Sequence, residues 1–342
     1  MADPLRAVMR RLAMREAVPP DELTSAFDRI MAGEATPTQV AAVLMGLRVK
    51  GETAAEVAAV VRALRRVMVP LAADAPGDLV DTCGTGGGTV RTFNISTAAA
   101  LVAAGGGARI AKHGNRSFTT QCGSADVLEA LGVRIDVPVA VMEQALRQAG
   151  IVFMFAPLMH PAMRHVGPVR RELGVPTVMN IVGPLANPAH AGRQVIGAGD
   201  ADRAPLLAGA LAELGTVHAL VVHGAGMDEI SPLGPTEVRE VRAGEVREWV
   251  IDPTVLGLGR ATADELAGGS PAENAAAVLD VLQGRASRGA TAAVLLNAAA
   301  ALYVAALAPT YEEGLAQAEA AIRSGAGLDA LERLRSAFAR PS

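Results

Sequence analysis

Four of the five residues 84–88 are glycine, with Thr85 between the first two, and Thr92, Asn94, Ser96 and Thr97 follow ahead of an alanine-rich segment. Glycine loses more backbone entropy on folding than any other residue, so such a run marks a place where backbone must come close to something. An anion is one such occupant: free N–H groups can converge on it, and the start of a following helix adds favourable potential. Neither common nucleotide loop accounts for the run. A Walker loop closes on Gly-Lys-Ser/Thr, and no lysine is near. In the spacing G-x-G-x-x-G the last position falls on Thr89 counted from Gly84, and on Arg91 counted from Gly86. A tight strand-to-helix turn capped by Asn94 or Ser96 fits the same residues.

Three further stretches carry chemistry. Residues 112–117 read Lys-His-Gly-Asn-Arg-Ser, with Thr119 and Thr120 just beyond Phe118. Lysine meets phosphate as a compact point charge and arginine as a planar fork. A solvated loop has the same look, but two anion-friendly loops after two apolar runs suggest a polyanionic ligand spanning both. Asp228 and Glu229 follow the apolar run 217–222. Adjacent carboxylates at a strand end suit Mg²⁺, which binds through one or two carboxylates plus substrate oxygens; a solvated acidic pair reads alike. His223 has no second His or Cys at ligand spacing. Arg170 and Arg171 fall late on a helix expected to begin at Pro161 and end near Gly174. They either favour the helix dipole and face water or hold an anionic second substrate. No G-x-S-x-G nucleophile elbow occurs.

These residues need a scaffold, and the 342-residue chain can build one. Apolar residues make up 51% and aromatics 3%, so alanine, valine and leucine must fill the core. The first 68 residues read as helices, with capping boxes at Thr36–Gln39 and Thr53–Glu56 and stops at Gly33 and Gly51. Residues 70–77 read as a linker. Beyond it, short apolar runs at 79–81, 108–111, 151–155, 195–197 and 217–222 alternate with helical segments. That alternation predicts a largely parallel sheet covered on both faces, with ligands beyond the carboxyl ends of its strands. The net charge of −4 argues against a broad nucleic-acid surface. Lys50 and Lys112 are the only lysines, and Cys83 and Cys122 the only cysteines, expected to stay reduced. No secretory signal is evident at the start. The uncharged stretch 289–310 is interrupted by Asn297 and Tyr303 and reads as a buried helix rather than a membrane span.

Taken together the motifs resemble those of anthranilate phosphoribosyltransferases: GTGG at 84–87, FNIST at 93–97, KHGNRS at 112–117, CGSAD at 122–126, HPAM with VRRELG at 160–174, GPLANP at 183–188, and DEIS from Asp228. The resemblance spans nearly the whole chain. It implies an α/β fold in which a small all-helical domain joins a larger domain with a mainly parallel sheet flanked by helices, of the nucleoside phosphorylase/phosphoribosyltransferase type. Residues 1–70 with roughly 166–188 would form the helical domain, and 71–165 with 189–342 the α/β domain. It implies transfer of the phosphoribosyl group of phosphoribosyl pyrophosphate to the amino group of anthranilate in tryptophan biosynthesis, with Mg²⁺ as cofactor, in a cytoplasmic homodimer.

By that match the donor would be bound by Gly84, Gly87, Gly88, Thr92, Asn94, Ile95, Ser96, Thr97, Lys112, His113, Gly114, Asn115, Arg116, Ser117, Phe118, Thr119, Thr120 and Ser124. Anthranilate would meet Gly84, Asn115 and Arg170, and Mg²⁺ would meet Ser96, Asp228 and Glu229. No residue is assigned as general base; His113 is a candidate for contact or proton transfer. The resembling family commonly has Asp after GTGG, where this chain has Gly88. Two other readings stand beside this one: a pyrimidine-nucleoside phosphorylase of the same architecture, and a nucleic-acid-binding relative that lost the chemistry.

Overall fold

The computed structural model describes residues 3–117 and 121–339. Four helices open the chain: α1 (Pro4–Ala13), α2 (Pro20–Met31), α3 (Pro37–Lys50) and α4 (Ala54–Val67). Both expected capping boxes form, Thr36 with Gln39 and Thr53 with Glu56, each side chain satisfying an N–H that the first turn leaves unpaired. Then come β1 (Val80–Gly84), α5 (Ile95–Gly105), β2 (Ile110–Gly114), α6 (Ser124–Ala130), α7 (Val139–Ala149), β3 (Ile151–Phe155), and the short helices α8 (Ala156–Met159) and α9 (Gly167–Leu173). After β4 (Arg193–Gly197), α10 (Ala204–Glu213) and β5 (His218–Gly224) a hairpin follows, β6 (Thr236–Arg242) and β7 (Glu245–Ile251). Helices α11 (Pro271–Leu282), α12 (Arg288–Val304), α13 (Tyr311–Arg323) and α14 (Ala326–Phe338) complete the described chain.

The strands form one sheet in the order β3-β2-β1-β4-β5-β6-β7. The first five are parallel, and the hairpin is antiparallel. Chain order runs outward from β1 in both directions, so a crevice opens between the carboxyl ends of β1 and β4, where such sheets bind ligands. One face of the sheet packs on a core built with α5, α12 and α14. The other face, through Ile196, Ala219, Val221 and Val241, joins α10 and the helical unit in a second continuous core. That core takes in Ala162, Val166, Val169 and residues 178–186, so the excursion after β3 packs with the N-terminal helices.

Three sequence expectations change. The hairpin β6–β7 was not foreseen: its strands carry charged residues on exposed positions, and its turn is Ala243-Gly244, both at positive φ, rather than Asn-Gly. The helix expected from Pro161 begins instead as a 3₁₀ turn, Pro161–His165, and becomes α9 only at Gly167. Strands β1 and β2 run on through Gly84 and Gly114, so Lys112 and His113 lie in a strand, not in a loop. The uncharged stretch is α12, buried almost throughout, and among the described residues no helix is long and apolar enough to cross a membrane.

Candidate active site

Four of the five parallel strands end in glycine, at Gly84, Gly114, Gly197 and Gly224. Over the β1/β4 crevice three loops lie backbone against backbone. Thr85 donates its N–H to Gly197 O (2.9 Å), and its hydroxyl accepts from Gly199 N (2.9 Å). Thr89 N–H donates to Gly226 O (2.8 Å), and Gly86 N–H to Asp228 Oδ2 (2.9 Å). A Cβ on Gly84 or Gly197 would run into Asp228, and one on Gly199 into Gly86. Much of the glycine run is therefore explained by the chain's own loops. Gly86 and Gly87 differ: their φ values are +71° and +85°, and nothing lies within 4 Å of a Cβ there, so this tip faces open space. Gly88 lies outside the left-handed region, and a Cβ there would stand 2.9 Å from Gly226 O.

The Asp228–Glu229 loop reaches the start of α5. Glu229 Oε1 accepts from Ser96 N–H at 3.0 Å, taking the capping place that the Asn94 side chain leaves unfilled. Asn94 is turned to Asn274 and Cys122 instead. Burial pushes the Glu229 carboxyl up to about 8, with Asp228 beside it adding to the rise, and burial also raises Asp228. Asn297, the polar break in α12, exchanges hydrogen bonds with both Ile230 N (3.0 Å) and Ile230 O (2.9 Å), fixing the loop where it leaves the site. Two carboxylates made costly by burial, with the Ser96 hydroxyl beside Glu229, form an all-oxygen donor set that fits Mg²⁺.

The expected donor-binding residues divide by environment. Lys112 is buried; its ammonium donates to Thr82 O and lies 3.4 Å from both Thr82 Oγ1 and Ser96 Oγ, and burial lowers its pKa against the pull of Asp81. Arg116 spends its guanidinium on Asp126 (2.7 Å) and Glu129 (2.6 Å), and its N–H donates to Asn115 Oδ1 (2.8 Å). Ser117 N–H donates to Asp126, and Ser124 Oγ to Asn115 O (3.3 Å), so the turn after Gly114 is stapled to the start of α6. Ile95 is fully buried and its N–H donates to Phe93 O (2.8 Å); Thr97 is buried with its hydroxyl unpartnered among the described residues, and Thr92 is half-buried. Phe118, Thr119 and Thr120 lie outside the described residues.

On the side away from the glycine loop, His113 lies against His160, ring centroids 4.9 Å apart and planes tilted by 55°. Nε2 of His113 is buried without a partner among the described residues, and the buried His160 ring has a backbone contact at Ala186. Burial depresses His113 to about 3, with His160 and Lys112 adding to the fall, and His160 to about 4. Both rings are neutral at neutral pH, so neither is a strong base. His160 leads through the 3₁₀ turn to α9, where half-buried Arg170 makes no ion pair or side-chain hydrogen bond among the described residues; burial lowers its pKa. Sequence reasoning missed Thr85, Asp81, Asn187, His160 and the role of Asn297. Only Gly197-Ala198-Gly199, a second glycine pair at a strand end, carried a usable signal for its neighbourhood.

Residues 76–328 match the model of a glycosyl transferase family, a/b domain, and residues 6–68 that of a glycosyl transferase family, helical bundle domain. An anthranilate phosphoribosyltransferase of Roseiflexus sp. is 50% identical over 97% of each chain. The chain belongs to the anthranilate phosphoribosyltransferase family. A Thermomicrobium roseum member is 49% identical over 96% of this chain and 95% of its own. The crystal structure of the Thermus thermophilus anthranilate phosphoribosyltransferase superposes with a TM-score of 0.92 at 41% identity, covering 97% of this chain and 99% of that one. The Saccharomyces cerevisiae anthranilate phosphoribosyltransferase, solved in complex with PRPP and Mg, gives 0.88 at 28% identity over 98% and 97%. Membership in this family sets aside the nucleoside phosphorylase and nucleic-acid-binding readings. The expected architecture, a helical bundle with a mostly parallel α/β domain, is that of these anthranilate phosphoribosyltransferases.

Proposed function

We infer that this chain transfers the phosphoribosyl group of 5-phosphoribosyl 1-pyrophosphate to the amino group of anthranilate, giving N-(5-phosphoribosyl)anthranilate and pyrophosphate for tryptophan biosynthesis. The observation that carries it is the meeting of Ser96, Asp228 and Glu229 beside the open turn at Gly86 and Gly87, in a chain half identical to named members of the family. The glycine turn, Lys112 and the residues that follow it through Thr120, with Ser124 beside them, hold the donor's phosphates. Ser96, Asp228 and Glu229 hold Mg²⁺. Bound there, Mg²⁺ supplies positive charge against the negative charge that grows on the departing pyrophosphate.

Asn115 and Arg170 bind anthranilate. The Arg170 guanidinium, half-buried and unpaired, offers the carboxylate a planar fork. The aromatic amine is already neutral near pH 7 and needs positioning rather than deprotonation, which agrees with neutral His113 and His160 on that side. The helical domain comprises 1–70 with roughly 166–188, and the enzyme is a cytoplasmic homodimer through it. Met14 and Val49, 72% and 62% exposed near the ends of two packed helices, support the dimer, and the thiol of Cys83 supports the cytoplasmic placement. The test follows anthranilate fluorescence with the purified chain, donor and Mg²⁺. Loss of signal that requires all three is expected; no loss over a wide range of enzyme concentration would overturn the assignment.

A further inference from the structure

Strands β1 and β2 lie side by side yet are in register only at Val80 and Ile110, whereas β1–β4 and β2–β3 each pair over five residues. Val80 N–H donates to Arg109 O at 2.9 Å. Continuing that parallel ladder would next pair Thr82 N–H with Ala111 O and His113 N–H with Thr82 O. Three of these groups are met by side chains instead. Asn187 Nδ2 donates to Ala111 O (2.8 Å), His113 N–H donates to Asp81 Oδ1 (3.1 Å), and the Lys112 ammonium donates to Thr82 O. The bridging side chains are joined to one another: Asn187 Nδ2 also donates to Asp81 Oδ2 (2.7 Å), and Asn187 Oδ1 accepts from Ala189 N–H (2.9 Å). Asp81 and Asn187 are almost wholly buried.

We propose that Asp81 and Asn187 are positioning residues, a spacer that holds the carboxyl ends of β1 and β2 apart and so sets where His113, Gly114 and Asn115 stand. Buried backbone groups must be paired, so two strands can separate inside a sheet only where other donors and acceptors replace the ladder. The spacer supplies two of them, and Lys112 the third. It acts on one side of β1 only. On the other side β1 keeps its full ladder with β4, and the glycine loop is held by Gly197, Gly199, Gly226 and Asp228. Asn187 also closes the segment that begins at His160, so the same bond ties the His160–His113 contact to the strands. Of the residues moved by a broken spacer, Asn115 is assigned above to anthranilate as well as to the donor, whereas the donor is also held by the glycine turn, which stays in place; the inference rests on those assignments.

The experiment measures KM for anthranilate and for the donor, and kcat, in parent, Asn187→Ala and Asp81→Asn. Asn187→Ala strips the donors to Ala111 and Asp81. Asp81→Asn is isosteric, but its amide must oppose either Asn187 Nδ2 or the His113 N–H, both donors, so it carries the test if the first variant does not fold. A displacement of the β2 end should raise the anthranilate KM by about tenfold to a hundredfold and the donor KM by much less, because the glycine turn and its β4 ladder keep their share of the donor. A residue serving stability alone would lower the melting temperature without this split. Equal rises in both KM values, or unchanged values, with the parent active would overturn the spacer alone. A parent inactive on anthranilate and donor would overturn the functional reading and the spacer with it.

Discussion

Replacing His160 by Phe should change how stability depends on pH. His113 and His160 are pushed down to about 3 and about 4 by burial, against about 6.5 for a free imidazole. Both are neutral in the fold, so their contribution to stability is complete above about pH 6.5 and is lost as pH falls towards 4, where the unfolded chain binds two protons that the fold does not. At about pH 5 each unfolded imidazole has gained roughly 1.5 pH units, or about 2 kcal/mol, and the pair about 4 kcal/mol. His160→Phe keeps a ring against His113 and removes one titration. Urea unfolding, followed through Trp249, the single tryptophan, gives the stability at about pH 7.5 and about pH 5. The parent should lose about 2 kcal/mol more than the variant between the two, because carboxylates elsewhere contribute equally to both. Equal losses would refute the claim that His160 is held neutral by burial.

Arg170→Ala should raise the anthranilate KM strongly and the donor KM little, since truncating one member of a buried charge pair costs about 2–5 kcal/mol; equal effects would mark a structural role. Asp228→Asn with Glu229→Gln should lower activity and shift the Mg²⁺ requirement upward while the fold stays intact, and calorimetric titration with Mg²⁺ and donor should show the weakened site directly. Gly88→Asp brings a Cβ to 2.9 Å from Gly226 O and a charge towards Asp228. The donor KM should rise most at low Mg²⁺, and a KM ratio constant across a Mg²⁺ series would leave only the steric effect.

What could be read in the sequence was local. Thr36, Thr53, Gly33 and Gly51 announce helix ends because capping and left-handed stops act within one turn. Apolar runs located five strands, and the carboxyl ends of β3 and β4, but β1, β2 and β5 run on two or three residues further. Asp81 and Lys112 are polar residues inside strands, tolerated because their partners, Asn187 and Thr82, come from 106 and 30 residues away. The glycine loop was legible as a close approach, yet part of what approaches is Asp228, 142 residues along the chain from Gly86. Gly88 shows the same limit: it avoids a clash with Gly226 rather than supplying a positive φ. The resemblance named the pair Asp228–Glu229, but its support by Asn297 depends on α12 lying beneath the loop, which no spacing reveals.

The most direct measurement of the transfer itself is the ratio of pyrophosphate released to anthranilate consumed, with purified enzyme, donor and Mg²⁺. One pyrophosphate per anthranilate, with neither change when either substrate is omitted, is the expected result. Pyrophosphate release that continues without anthranilate would mean hydrolysis of the donor, and would contradict the assignment of the His113–Arg170 side as the place where an acceptor is held.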